Sequence, residues 1–305
     1  MAIQKQFEVL VVGDLFIDLV FSGFAELPPP GHEAFARAMI REAGGGASIT
    51  ASGLARLGTK TGVIGVVDDL DGAWLAKRLK SVGVDTSALH KHPTEPTGTT
   101  VAISSGRDRT FFTYSGANLG LSELLERSDI RAALQKAQHV HFACCLDPVL
   151  LMELTALLHG AETGVSLDVG WHPEWLGNEK SIHAIRQLDL FFPNEAEASV
   201  TTRQKTPDDI LDAFEHMGVH HVALKMGEKG SALLINGRKV FSPPVKVDVV
   251  DTTGAGDSFD AGFIYGMLHE ESPERCLEIG NICGALSTRA LGGIAAFPSR
   301  AEIFQ

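Results

Sequence analysis

From Phe7 to Lys225 the chain alternates short apolar, β-branched runs with longer segments whose apolar residues recur at helical spacing. Phe7–Val12 reads as a buried strand, Ile49–Leu57 as a helix, Thr61–Val67 as a strand and Ala73–Val82 as a helix. Val140–Cys145 and Val165–Asp168 read as strands with a helix over Val149–His159 between them. A short strand over Leu188–Phe192, a helix over Pro207–His216 and a strand over His221–Lys225 continue the rhythm. Repeated strand–helix–strand units imply crossover connections, because parallel neighbours cannot be joined by a tight hairpin. The expectation is an α/β fold of three layers, a mostly parallel sheet flanked by helices. The 305 residues fit one such domain with an ample core, and neither a linker nor an internal repeat divides them.

Two stretches break the rhythm. Ile17–Glu42 and Gly98–Tyr114 carry alternating apolar and polar residues, with Phe21, Phe24, Phe111 and Phe112 among them. They read as β-hairpin excursions, at about 16–42 and 98–115, inserted at one edge of the sheet rather than as a separate domain.

Composition narrows the function classes. A net charge of −12 argues against a nucleic-acid binder, whose affinity needs clustered Lys and Arg. No apolar run is long enough to span a membrane, and the N-terminus lacks the apolar core of a signal peptide. Four cysteines without paired spacing point to a reducing compartment, hence the cytoplasm. His139 and His141 share a predicted strand face, but no cysteine or acidic partner completes a zinc ligand set.

The most informative motif is Asp251-Thr252-Thr253-Gly254-Ala255-Gly256-Asp257. Val245–Val250 before it has strand character, and Phe259, Phe263, Ile264, Met267 and Leu268 after it recur at helical spacing. A glycine-rich turn therefore feeds a helix N-terminus, where unpaired N–H groups and the helix dipole favour a phosphate. Asp257 at that point is either a partner of the dipole or the group that takes a proton from an attacking hydroxyl. Neither the P-loop pattern nor the dinucleotide Gly-x-Gly-x-x-Gly pattern fits.

This run resembles the signature of the ribokinase-like carbohydrate kinases, the PfkB family. Four more segments fall in the family's order: Val11-Val12-Gly13-Asp14, Gly44-Gly45 leading into Ala51–Gly58, Pro193-Asn194-Glu195-Ala196-Glu197, and Leu224–Gly230. The resemblance implies a ribokinase-like fold, with the two excursions forming a small β-sheet lid over the substrate. It implies an ATP-dependent, Mg²⁺-requiring kinase with Asp257 as catalytic base and an anion hole formed at Gly254, Ala255 and Gly256. Asn194 and Glu197 would organise hydrated Mg²⁺; Lys225, Gly227, Gly230 and Asn281 would border the nucleotide. Asp251 and Thr253 match positions that in some members hold a monovalent cation such as K⁺. Asp14, Asp18, Gly44 and Gly45 match the acceptor side. Many sugar kinases of the family have an asparagine where Ile49 stands, so an acceptor with an apolar or deoxy position there is expected. A sugar or sugar acid leads as acceptor. A nucleoside, or a non-catalytic sugar- or nucleotide-binding regulator on the same fold, stands as the alternative. Apolar residues on an exposed lid edge also lead us to expect a homodimer.

Overall fold

The computed structural model describes residues 3–24, 28–105 and 108–304. Its strands are β1 (Phe7–Gly13), β2 (Phe16–Phe24), β3 (Ala38–Gly44), β4 (Thr61–Val67), β5 (Leu89–Lys91), β6 (Gly98–Ser105) and β7 (Asp108–Tyr114). There follow β8 (Ala137–Ala143), β9 (Gly164–Asp168), β10 (Leu190–Phe191), β11 (His221–Lys225), β12 (Ser231–Ile235) and β13 (Arg238–Ser242). Nine form one sheet in the order β13-β12-β11-β10-β9-β8-β1-β4-β5, all running the same way except β12, which is antiparallel to both β11 and β13.

Three layers follow from the alternation within the central strand. Leu10 and Val12 of β1 join a core with Phe142, Leu151 and Phe214, while Val9 and Val11 join one with Leu54, Phe259 and Ile279 on the other face. Helices Pro148–His159 and Pro207–His216 cover the first face; helices Gly46–Arg56, Ala255–Leu268 and Pro273–Ser287 cover the second. Each fully buried Leu, Ile or Phe contributes about 1.5–3 kcal/mol, so the two cores dominate the stability.

The two excursions build a second sheet of their own, in the order β3-β2-β6-β7. Only β2 and β6 run parallel within it, so the sheet is mixed. The stretches at 25–27 and 106–107 lie outside the described residues. Glu42 of β3 accepts a bidentate pair from Arg78 on the helix Leu70–Lys80 (2.6 and 2.8 Å), tying the small sheet to the body. The chain passes from β1 into β2 through Asp14 and Leu15 alone. Asn118 clamps that junction, accepting from the Leu15 N–H (2.9 Å) and donating to its carbonyl (3.0 Å).

One expected strand is absent. Val245–Val250 joins no ladder and ends in a bend at Val250. Pro243 and Pro244 just before it lack N–H donors, and alternate residues Val245, Val247 and Val249 line a cavity instead of a sheet face. The β-like alternation is real; its apolar face serves a ligand-sized space.

Candidate active site

The carboxyl ends of neighbouring parallel strands deliver most of the polar groups. Asp14 follows β1, Asp168 ends β9, Asn194 follows β10 and Lys225 ends β11. Such ends are where α/β sheets hold ligands. Lys225 donates its N–H to the Pro193 carbonyl (2.9 Å), which brings the Asn194 turn alongside the end of β11.

The glycine turn supplies the opposite wall. Gly254 caps the helix Ala255–Leu268 with φ 73°, a left-handed conformation that a side chain would strain. Ala255 N–H donates to Thr252 O (3.2 Å) and Ser258 N–H to Gly254 O (2.9 Å). Among the described residues no carbonyl accepts the N–H groups of Gly256 and Asp257; the Asp257 N–H lies against its own carboxyl, and the Gly256 N–H is the first-turn donor left for an anion. Asp257 sits in that turn, and burial, then the charge of Asp168, push its carboxyl up to about 7. A Cβ added at Gly46 would stand 2.8 Å from Asp257 Oδ1, so the bare backbone of the facing helix start makes room for the carboxylate.

Beside this turn lies a cavity of about 360 Å³, lined by Gly227, Gly230, Gly256, Asn281 and the Val245–Val249 strip. Asn281, buried, donates through Nδ2 to Ser242 Oγ (3.1 Å) and Pro243 O (3.0 Å), fixing the start of that strip. Both Asn194 and Glu197 are in place: the Glu197 N–H donates to Asn194 Oδ1 (3.0 Å), while Glu197 accepts from the Asn194 N–H (2.8 Å) and Nδ2 (2.6 Å). This is a full capping box, in which each side chain accepts from the other's backbone N–H. Burial, then Asp168, raise the Glu197 carboxyl.

The acceptor-side residues also meet. Asp14 and Gly45 adjoin, because the left-handed Gly45 (φ 86°) packs its Cα against the Asp14 carbonyl. Asp18 of β2 lies against Gly44, where any Cβ would overlap its carboxylate. Burial lifts Asp14 to about 6; burial, then Asp251, Glu42 and Asp257, lift Asp18 to about 7. Asp251 accepts from the N–H of Thr253 and of Gly292, both at 2.7 Å, bracing the glycine turn against the loop at 292.

Ile49 does not face an open acceptor site. It is 3% exposed, and its Cδ1 lies within 2.7 Å of a Cβ added at Gly254. It supports the glycine turn from beneath, and the close approach of the two glycine-bearing segments Gly254 and Gly293 is what buries it.

Sequence reasoning missed Asp168 and Asp260. Lys225 Nζ donates to Asp168 (2.6 Å) and to Asp260 (3.2 Å), all three nearly buried. Burial opposes the Lys225 charge, but Asp168, then Asp260 and Glu197, outweigh it and hold the lysine above its ordinary value. A lysine at the end of a buried strand demands carboxylate partners; that demand was the available signal. His139 and His141 both bond to Ser166 Oγ (2.7 and 2.9 Å), and burial keeps them neutral, at about 4 and about 3.

With this geometry in place, comparison with known proteins decides the family. The profile described as pfkB family carbohydrate kinase matches residues 6–300. The chain belongs to the pfkB family. It is an ATP-dependent carbohydrate kinase with the ribokinase fold. Its sequence is 32% identical to the 2-dehydro-3-deoxygluconokinase of Bacillus subtilis, over 85% of this chain and 84% of that protein. It is 25% identical to a deoxyribokinase of Salmonella typhi over 96% of both chains. A ribokinase of Arabidopsis thaliana, solved with ribose and ATP, superposes with a TM-score of 0.84 at 26% identity, covering 100% of this chain and 98% of that one.

Proposed function

We propose that this pfkB kinase transfers the γ-phosphoryl group of ATP to a hydroxyl of a sugar or sugar acid, with Asp257 as general base. The observation that carries the reading is the raised Asp257 carboxyl inside a helix turn whose Gly256 N–H faces no carbonyl. A base is most effective when its pKa lies near the working pH, and about 7 meets that condition. The Gly256 N–H holds a phosphate oxygen as charge moves off the transferring group. The adenosine end lies along Val245–Val249, with Gly227, Gly230 and Asn281 closing the far wall.

The donor set fits Mg²⁺, since Asp168, Asp257 and Glu197 offer only carboxylate oxygens and Asn194 an amide oxygen. Glu197 and Asn194 would hold the hydrated ion, which supplies charge neutralisation of the phosphates when bound. Asp251 and Thr253, braced to the loop at 292, form the candidate seat for a monovalent cation such as K⁺.

Asp14 and Asp18 bind acceptor hydroxyls, with Gly44 and Gly45 allowing backbone approach. Relatives named for deoxy acceptors favour an acceptor lacking a hydroxyl. The small mixed sheet acts as a lid, and Phe35, Met39, Phe111, Phe112 and Tyr114, all more than half exposed, make its surface a dimerisation face. Among the described residues no helix is long and apolar enough to cross a membrane. The four free cysteines fit a cytoplasmic setting.

The test is ADP release, with Mg²⁺, over a panel of aldoses, deoxy sugars, sugar acids and nucleosides. One sugar or sugar acid should stimulate turnover strongly. Stimulation by nucleosides alone would move the acceptor class, and stimulation by none would leave a binding protein.

A further inference from the structure

A second cavity, of about 270 Å³, opens at the far end of the main sheet and has no part in the kinase reading. Asp189 and Leu190 at the start of β10, His221 at the start of β11 and Ile235 at the end of β12 line one side of it. Phe263 and Met267 of helix Ala255–Leu268 and Cys276 of helix Pro273–Ser287 line the other. Lys225 ends the same strand that His221 begins, about 13 Å away at the usual rise per residue. The two cavities share no lining residue. The helix that carries Asp257 in its first turn thus carries a wall of this second cavity in its last.

The lining divides by chemistry. Leu190, Leu233 and Phe263 are buried and, with Ile235, Met267 and Pro273, make the interior apolar. Apart from the Cys276 thiol, the polar side chains are Asp189, Glu271 and His221, with no Lys or Arg among the described lining. Asp189 accepts from the Val165 N–H (2.7 Å) and His159 Nε2 (3.0 Å) through Oδ2 alone, which leaves Oδ1 open. The Glu271 carboxylate is exposed and has no hydrogen-bond or ion-pair partner among the described residues. His221 is already engaged, through Nε2 and Asn236 Oδ1 (3.0 Å).

We propose that this cavity is a second ligand site, which takes an organic amine with an apolar body of about one ring. An apolar cavity of about 150 Å³ holds a benzene molecule, so this one has room for a ring and a short chain. The ring or branched alkyl body fills the interior, and the protonated amino group stays at the mouth with the open oxygens of Asp189 and Glu271. The reactants of the kinase fit badly here. A sugar would bury hydroxyls against apolar walls, and a nucleotide or sugar phosphate would meet two like charges and no lysine or arginine.

Ligand-observed NMR titration of the full chain at pH 8 would compare phenethylamine with 2-phenylethanol and 3-phenylpropionate. Phenethylamine should bind about threefold or more tighter than the alcohol, as for an exposed ion pair, and the carboxylate should bind most weakly. Saturating ADP and Mg²⁺ should leave the amine Kd within about twofold, since the cavities are separate. Met267→Trp, which fills the cavity, should abolish binding of both amine and alcohol. Glu271→Gln, an exposed change that leaves the fold alone, should remove most of the amine's advantage and leave the alcohol unchanged. The proposal is overturned if phenethylamine does not bind, if ADP displaces it, if the carboxylate binds as well, or if Glu271→Gln leaves the preference intact. None of these results touches the kinase reading, which ADP release with an acceptor decides separately.

Discussion

Asp257 combines two opposed demands, and both can be measured. Its carboxyl must lose a proton to act as base, yet burial, then the charge of Asp168, favour keeping one, with the balance near 7. We therefore expect kcat/KM to rise about tenfold per pH unit below about 7 and to level above it. Asp257→Asn should lower kcat by roughly 10²–10⁴ while nucleotide still binds. The same substitution tests linkage. A folded-state pKa above the ordinary carboxyl value means that the native state holds the extra proton between about 4 and about 7, and stability falls as pH rises through that window. Asp257→Asn should raise Tm at pH 8 by about two to three times as much as at pH 5, the difference vanishing only below about 4, where the group is neutral in the folded and the unfolded chain alike. Thermal melts at the two pH values check the sign. Glu197 offers a second measurement: Glu197→Gln should raise the Mg²⁺ needed for half-maximal rate, and an unchanged requirement would leave the pair as a helix cap only. At this scale Asp257, Asn194 and Glu197 were legible because each sits inside a local motif. Asp168 and Asp260 were not, since their meaning comes from Lys225, which is 57 and 35 residues away.

Among the elements, those set by local period were read almost to the residue, as with Thr61–Val67, Pro207–His216 and His221–Lys225. Val245–Val250 was misread because alternation reports which side is apolar, not whether a neighbouring strand is present. The correction makes a prediction. Val247 lies in the middle of the strip along the cavity, so Val247→Asp places a charge where an apolar base face would lie. Nucleotide Kd should rise by about tenfold or more while Tm changes little, because the strip belongs to neither core. Fluorescence or calorimetric titration with ADP would show it, and an unchanged Kd would place the nucleotide elsewhere. Ile49 carries a related lesson. Sequence placed it at the acceptor, but packing places it under Gly254, so Ile49→Asn should disturb the phosphate turn and kcat more than acceptor choice.

For the whole molecule, both sheets were foreseen: the excursions join each other in a small sheet of their own, as the family resemblance implies. Phe111 and Phe112 are consecutive in β7, so they point to opposite faces, and both are exposed. Light scattering should show a dimer at tens of micromolar, and Phe112→Lys should shift it toward monomer with the fold intact. A wild-type monomer would remove the lid-to-lid contact. Acceptor and ADP added together should raise Tm more than either alone, because the ligand adds about 2.7 kcal/mol at 100 times its Kd. The junction at Asp14 and Leu15 bears on fidelity. The residue that would grip the acceptor is also the one through which the main sheet hands the chain to the small one, and Asp18 and Gly44 lie just beyond on that second sheet. A molecule held at both places would be shared by two bodies. Water is too small to bridge them, so such a junction should leave the enzyme a poor hydrolase of ATP, and ADP release without any acceptor should be slow.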